Sequence, residues 1–239
     1  MIDIHSHILP GVDDGSKDEN MTLRMLYQFS NEGVDKIIVT PHFRHDQSEA
    51  YLDKVKQGFL KAQDLAAQVS PDLKLYLGCE IMYSSKALAR LVNDEFMTMN
   101  GTDYVLVEFP VLAQFNDIAS AIRDFVSSGY IPIIAHLERY QFIGKVEQVH
   151  ALVKMGAYIQ INSSLILGKY GFTRKRFIHK LIKRGLVHFV ASDAHNDEKR
   201  KVTLGSSYKS VARRFGKETA ADLFIRNQEK VIKGEKIGV

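Results

Sequence analysis

One cysteine, Cys79, stands among 239 residues, which excludes an internal disulfide and fits a reducing compartment. No apolar run approaches the roughly 20 residues that cross a bilayer, so membrane insertion is not expected. The first residues include Asp3 and lack a basic segment followed by an apolar core. No signal peptide is therefore visible, and a cytoplasmic location is expected. Neither sign of charge dominates: the net charge is +4, and the densest basic run, Thr173-Arg174-Lys175-Arg176, is short. No nucleic-acid partner is expected, whereas an anionic substrate suits the mild positive excess. A G-x-G-x-x-G fingerprint and a Walker P-loop are both missing, which removes two Gly-rich phosphate cradles. Internal repeats, linkers and low-complexity stretches are missing as well. With 45% hydrophobic and 25% charged residues, the composition is that of one globular domain over residues 1–239.

What is there is organised around the opening stretch, Ile2-Asp3-Ile4-His5-Ser6-His7-Ile8-Leu9-Pro10-Gly11-Val12-Asp13-Asp14-Gly15. Ile2 and Ile4 alternate with Asp3 and His5, the period of a strand. A strand sends alternate side chains to one face, so His5 and His7 point the same way and can chelate one ion. Leu9-Pro10-Gly11 breaks the strand, and the following loop can fold Asp13 and Asp14 back over that ion. An isolated His-x-His is more often a polar strand end, but here other strand ends carry the same chemistry.

Ser16-Lys17-Asp18-Glu19 has the form of a capping box with Ser16 at the cap. The helix it opens carries Met21, Met25, Leu26 and Phe29 on one face and ends at Gly33. Further strands are expected over 34–42, 73–80, 104–109, 131–136, 157–161 and 187–192. Helices are expected over 48–69, 84–92, 116–128, 145–155 and 173–184, with an interrupted helical tail from 206. Several strands are near-continuous apolar runs, as covered parallel strands should be. The alternation of seven strands with helices predicts an α/β fold with a parallel sheet and right-handed crossovers. An open doubly wound sheet shares that pattern. A closed TIM-like (β/α) barrel is preferred, because polar residues at six or more strand ends converge only if those ends form a ring.

The strand-end residues are His5, His7, Asp14, His42, Glu80, Glu108, His136, Asp193 and His195, and they include five of the nine histidines. An all-imidazole and carboxylate set suits Mn²⁺, Zn²⁺ or Fe²⁺ better than a thiolate-bound structural zinc. The set exceeds one ion's need, so two or three ions with a bridging carboxylate account for it, and Glu80 suits the bridge. Asp14 is preferred over its neighbour Asp13, which also suits a turn cap. Glu108 also suits an ordinary strand-end acid. His150 and His179 fall in helices, His188 begins a strand, and His45 is set aside. Cys79 adjoins Glu80 and so points to the opposite face, where it packs. Arg139 follows His136 by three residues and Arg200 follows His195 by five. Guanidinium is permanently charged and binds phosphate bidentately. Arg44 is a weaker third candidate.

His5-x-His7, Thr40-Pro41-His42, Glu80, His136 and Asp193-x-His195 resemble the polymerase-and-histidinol-phosphatase (PHP) metallohydrolases. The whole opening stretch, with His136-Leu137-Glu138-Arg139-Tyr140, looks more narrowly like the tyrosine-protein phosphatases of bacterial capsule and exopolysaccharide gene clusters. The resemblance covers essentially the whole chain. It implies a distorted seven-stranded barrel and a three-ion centre, usually manganese-dependent, with zinc, iron or cobalt as other candidates. By that pattern His5, His7, Glu80 and Asp193 hold one ion, Glu80, Glu108 and His136 a second, and Asp14, His42 and His195 the third. Other branches often have His where this chain has Asp14 and Glu108. The implied substrate is the phosphotyrosine-bearing tail of a bacterial tyrosine autokinase. A cysteinyl-phosphate route is not available at Cys79, because no Cys-x₅-Arg segment surrounds it. The alternatives are a small-molecule phosphatase, such as one acting on histidinol phosphate, and a non-catalytic metal-binding protein.

Overall fold

The computed structural model describes residues 1–141, 144–169 and 171–238. Strand β1 (Ile2–Asp3) is followed by α1 (Glu19–Asn31), β2 (Lys36–Val39), β3 (His42–Phe43), α2 (Glu49–Val69), β4 (Lys74–Leu77), β5 (Glu80–Met82) and α3 (Ser85–Val92). Then come β6 (Tyr104–Glu108), α4 (Phe115–Ser127), β7 (Ile131–Ile134), α5 (Val146–Lys154), β8 (Tyr158–Asn162), α6 (Ser163–Ile166), α7 (Phe172–Lys183) and β9 (Phe189–Ala191). Helices α8 (Leu204–Phe215), α9 (Lys217–Ala221) and α10 (Asn227–Lys233) end the chain. The strand pairs among the described residues are parallel, in the orders β1-β2-β4 and β3-β5-β6-β7-β8-β9.

The two runs belong to one curled parallel sheet. β3 continues β2 past Thr40-Pro41, and β5 continues β4 past Gly78-Cys79. The Gly78 N–H donates to Val39 O at 2.9 Å and the Glu80 N–H to Pro41 O at 3.0 Å, so pairing carries across both breaks. Beyond β9, the Asp193 N–H donates to His5 O and the His7 N–H to Ala194 O, both at 2.9 Å.

Several sequence expectations need correction. The strands read as 34–42 and 73–80 are each divided in two, and Pro41, which has no N–H to give, sits at the first break. β1 covers Ile2–Asp3 alone. His5 and His7 leave it in irregular chain that is held by an isolated bridge between Ser6 and Ala194 and by the Thr40 N–H on Ser6 O at 2.9 Å. The cap of α1 is Asp18, whose carboxylate accepts the Met21 N–H at 2.8 Å. Ser16 instead turns its hydroxyl inward to Thr22.

The inner face of the sheet changes character along each strand. Ile38, Tyr104, Leu106, Ile133, Ala135, Tyr158, Phe189 and Ala191 are buried together at its N-terminal side. Two residues further along the same faces come the polar side chains: Thr40 and His42 after Ile38, Glu108 after Leu106, Gln160 and Asn162 after Tyr158, Asp193 after Ala191. At β7 strict alternation would aim Leu137 inward. Instead His136 takes a left-handed φ of 31°, turning its imidazole to the interior while Leu137 joins the outer core. Asp193 is left-handed too, at φ 51°. Strain of this kind persists only where the surroundings over-determine it. The C-terminal segment closes the apolar end: Val231 and Ile237 are buried there, and the Tyr104 and Tyr158 hydroxyls each donate to its carbonyls, Glu235 O and Ile237 O, at 2.8 Å.

The loop after His7 is folded hard against that histidine. The Ser16 N–H donates to His7 O at 2.9 Å, and a Cβ on Gly15 would lie 2.1 Å from the same oxygen and 2.5 Å from the His7 Cβ. Gly15→Ala must therefore displace backbone beside a site histidine, an overpacking expected to cost at least about 2 kcal/mol. Urea unfolding of Gly15→Ala against the parent protein measures it; a loss below about 0.5 kcal/mol would show that the loop shifts freely.

Candidate metal centre

The curled sheet brings all nine strand-end residues to one place. Glu80, 1% exposed, lies at the middle. Its Oε2 is 3.2 Å from His5 Nε2, 3.3 Å from His7 Nε2 and 3.0 Å from His42 Nδ1, while Oε1 is 2.8 Å from His136 Nε2. Glu108 meets His136 at 3.3 Å. Asp193 Oδ1 is 3.6 Å from His5 and 3.4 Å from His195. Asp14, its side chain 65% exposed, closes the outer side at 3.3 Å from His42 and 3.5 Å from His195. Asp13 does not face this centre; its carboxylate accepts from the Gly15 and His42 N–H groups and pairs with His7 Nδ1 at 2.8 Å. Both arginines reach in. Arg139 Nη2 donates to Asp193 Oδ2 at 2.6 Å, and Arg200 Nη2 to Asp193 Oδ1 at 2.8 Å. Arg44 is on the surface beside Asp46. His45, His150, His179 and His188 stay outside the cluster.

Four groups of donor atoms converge closely enough to share an ion: His7, Asp14, His42 and His195; His5, His7 and Asp193; His5, Glu80 and His136; and His42, Glu80 and Glu108. The donor chemistry fits divalent cations. Glu80 Oε2 has three imidazole nitrogens within 3.3 Å yet accepts no hydrogen bond from them, and the buried His195 Nε2 is also without a hydrogen-bond partner. His5 Nε2 and His7 Nε2 approach to 3.2 Å, where at most one can carry the proton of a hydrogen bond. Lone pairs aimed at common points and left unused are what a bound cation satisfies.

The charges are tightly coupled. Burial alone would lower the pKa of His7, but Asp13 and Glu80 outweigh it and raise it to about 9. His136 also rises to about 9, against burial, through Glu108 and Glu80. His42 rises to about 11, again against burial, through Asp14 and Glu80. Glu80 lies well below the carboxylate range because its imidazole partners, His5 first, overcome the cost of burial. Asp193 is likewise held down by His5 and Arg139. His195 goes the other way, to about 4, through burial and the neighbouring His7.

The chain matches the family described as capsular polysaccharide synthesis, CpsB/CapC, over residues 1–233. It belongs to that family. The tyrosine-protein phosphatase CpsB of Streptococcus pneumoniae is 36% identical over 244 residues, covering 99% of this chain and 100% of that protein. A crystal structure from a study of YwqE from Bacillus subtilis and CpsB from S. pneumoniae, described as metal-dependent tyrosine phosphatases, superposes with a TM-score of 0.90. That match has 31% identity and covers 100% of this chain and 96% of the other. The histidinol phosphate phosphatase of Lactococcus lactis, solved with zinc, L-histidinol and phosphate, shares the fold alone: TM-score 0.56 at 15% identity, over 94% and 96% of the two chains.

Behind its donor atoms this CpsB/CapC protein has a supporting layer that the sequence reading passed over. Gln160 Oε1 accepts the backbone N–H of His136 at 2.7 Å and lies 3.1 Å from His5 Nδ1, so one side chain holds the His5 imidazole and the chain at His136. The Asn162 amide donates to Asp193 Oδ2 at 2.7 Å and accepts from the Gln160 amide at 3.0 Å. The signal was available: two amides at period two inside the otherwise apolar strand Tyr158-Ile159-Gln160-Ile161-Asn162. Asp3 is also buried, its pKa raised to about 6 by burial, and it receives the Ser192 N–H and hydroxyl at 2.9 and 2.5 Å, tying β1 to the turn that carries Asp193. Cys79 faces away from the centre, and its thiol donates to Met97 O. Burial pushes its pKa up, so it is not a ready thiolate.

Two outcomes follow. In chelated protein, His7, His42 and His136 carry protons at pH 7, because their folded values lie above the unfolded value of about 6.5. Their stabilising contribution is complete below about pH 6.5 and is lost as pH rises through about 9 for His7 and His136 and about 11 for His42. Cation binding must displace these protons. Calorimetry at pH 7 in buffers of differing ionisation enthalpy should record proton release on Mn²⁺ binding; none would mean the imidazoles are not ligands. Cys79→Ser should stay folded and keep most of its hydrolytic activity, assayed on p-nitrophenyl phosphate. Complete inactivation of a folded Cys79→Ser protein would restore cysteine chemistry.

Proposed function

We propose that this chain is a manganese-dependent protein-tyrosine phosphatase acting on the phosphorylated tail of a bacterial tyrosine autokinase, and so regulating capsule or exopolysaccharide synthesis. The single observation that carries the metal chemistry is the buried Glu80 carboxylate, with imidazoles on both oxygens and no hydrogen bond to Oε2. Membership of the CpsB/CapC family and relatives named tyrosine-protein phosphatases support phosphotyrosine as the group hydrolysed. The reading includes one domain over residues 1–239 and a cytoplasmic location, which the free Cys79 thiol supports. It also includes closure of the curled sheet into a distorted seven-stranded barrel, with β2–β3 and β4–β5 each counted as one strand. The hydrogen bonds joining His5 and His7 to Asp193 and Ala194 support that closure.

Within this reading His5, His7, Glu80 and Asp193 would hold one ion, Glu80, Glu108 and His136 a second, and Asp14, His42 and His195 a third. Bound divalent ions supply a water-derived nucleophile near neutral pH and positive charge for the phosphoryl oxygens. The chain's own part is positioning. Arg139 and Arg200 are held on the two oxygens of Asp193, so their guanidinium groups start out fixed at the edge of the centre. Guanidinium groups at that edge can grip the phosphoryl group as charge builds on it. Gln160 holds the His5 imidazole and the backbone of His136, and Asn162 holds Asp193, while this happens. A tyrosinate leaving group, with a pKa of about 10, departs more readily than an alkoxide and asks less of a general acid.

A panel of phosphotyrosine peptide, phosphoserine peptide and histidinol phosphate with Mn²⁺ tests the substrate, with phosphotyrosine peptide expected to have the highest kcat/KM. A strong preference for histidinol phosphate would replace the protein-phosphatase reading with the small-molecule one. Arg139→Ala and Arg200→Ala should each lower kcat by about 10²-fold, with metal content by elemental analysis unchanged. Glu80→Gln should lose both metal and activity. Full activity in a chelated sample would end the metal reading.

A further inference from the structure

A cavity shares a wall with the candidate centre. A cavity of about 280 Å³ lies between the 164–169 segment after β8 and the 198–203 loop, and its wall includes Asp193 and Arg200. Its other charged lining is Lys169, Lys199 and Lys201, with the single further carboxylate of Glu198. Asp193 is already engaged by Arg139 and Arg200, so the cleft is left strongly positive. The Lys169 ammonium donates to Lys199 O at 3.0 Å, which ties the two loops together. Among the described residues no ion pair engages the ammonium groups of Lys169, Lys199 or Lys201.

The positive surface continues outward. Lys175 of α7 lies against Gly168, its Nζ within 3.9 Å of where a Cβ on that glycine would be. It then forms the wall of a groove of about 510 Å³ with Arg176, Lys180, Lys183 and Arg214, and no acidic residue lines that groove. At its mouth Phe172 is 79% exposed. Helix α7, Phe172–Lys183, contains no Asp or Glu. Nine lysines and arginines thus line the two cavities, beginning at Arg200, against the carboxylates of Asp193 and Glu198.

We infer that this path is a docking track for an acidic segment of the substrate polypeptide, lying beside the phosphotyrosine in the Lys169–Lys199–Lys201 cleft and running out along α7. The inference rests on the proposed phosphatase reading and adds what that reading lacks: a reason for one phosphotyrosine to be chosen over another. The geometry favours a substrate segment over a separate ligand, because the cleft and the centre share Asp193 and Arg200 as a common wall. An occupant of the cleft is therefore adjacent to whatever Arg200 holds. Exposed ion pairs are individually weak, and three or four acting together amount to about a tenfold preference.

The test compares two phosphotyrosine peptides with Mn²⁺-loaded protein, one with Asp and Glu on both flanks and one with neutral flanks, using p-nitrophenyl phosphate as the reference substrate. The acidic peptide should have a five- to tenfold higher kcat/KM, expressed in KM, and the ratio should fall toward one as salt is raised. Lys169→Gln with Lys201→Gln should remove most of the preference, Lys175→Gln with Arg176→Gln part of it, and Glu198→Gln should increase it. Equal kcat/KM for the two peptides, with phosphotyrosine hydrolysis intact, would overturn the track alone. If no phosphotyrosine substrate is turned over, the function reading fails, and the track is judged by fluorescence anisotropy of the labelled unphosphorylated peptides. There the acidic peptide must bind more tightly than the neutral one, and Lys169→Gln with Lys201→Gln must weaken it. If the α7 variants leave the peptide ratio unchanged but lose sedimentation with anionic phosphatidylserine vesicles, the α7 face serves a lipid surface and the outer half of the track is wrong.

Discussion

Everything at the candidate centre depends on one buried carboxylate. Glu80 is withdrawn from water, and burying a charge without compensation is among the most costly things a fold can do. Compensation comes from four imidazoles of three different segments: His5 and His7, His42, and His136. Those imidazoles are near enough to repel one another when protonated, and they in turn need the carboxylates of Asp13, Asp14, Glu108 and Asp193. The result is a balanced cluster that no local stretch of chain could hold by itself. It exists only because the sheet curls and delivers its strand ends to one point.

The rest of the architecture serves that delivery. The inner face of each strand is apolar at one end, where tyrosines, isoleucines and Phe189 fill the interior, and polar at the other, where the donors stand. Strand alternation alone aims His42, Glu108 and Asp193 inward. His136 needs a left-handed backbone to reach the same side, and His5 and His7 need the chain to leave β1 early. The amides of Gln160 and Asn162 then lock the result, each touching a donor that lies far away in sequence. Positioning of this kind is what metal chemistry asks of its second layer.

The positive path from Arg200 to α7 belongs to a different level of organisation. It is made of lysines and arginines that are mostly exposed, with Arg200 half-buried and held on Asp193. Helix α7 belongs to the crossover from β8 to β9, and the turn after β9 carries Asp193 and His195. A charge run that reads as an ordinary solvated helix face in one dimension thus becomes continuous with the substrate-facing side in three.

By itself the sequence determined the alternation of strands and helices, because hydrophobic periods of two and of about 3.6 are local properties that the chain cannot hide. It also marked the donor residues, since histidine and carboxylate directly after apolar strand cores have few uses in packing. It placed Cys79 away from the chemistry, because neighbours on a strand face opposite sides. Tertiary structure decided the remainder. Only the fold could divide the strands at Pro41 and Gly78, since a missing ladder bond depends on the partner strand as well as on the residue. Only the fold could separate Asp13 from Asp14, which the loop sends to opposite sides of the His7 ring, one behind it and one toward His42 and His195. It likewise decided which of many polar residues became supports: Gln160 reaches His5, 155 positions away, and a contact across that separation is a consequence of chain closure that no local pattern encodes.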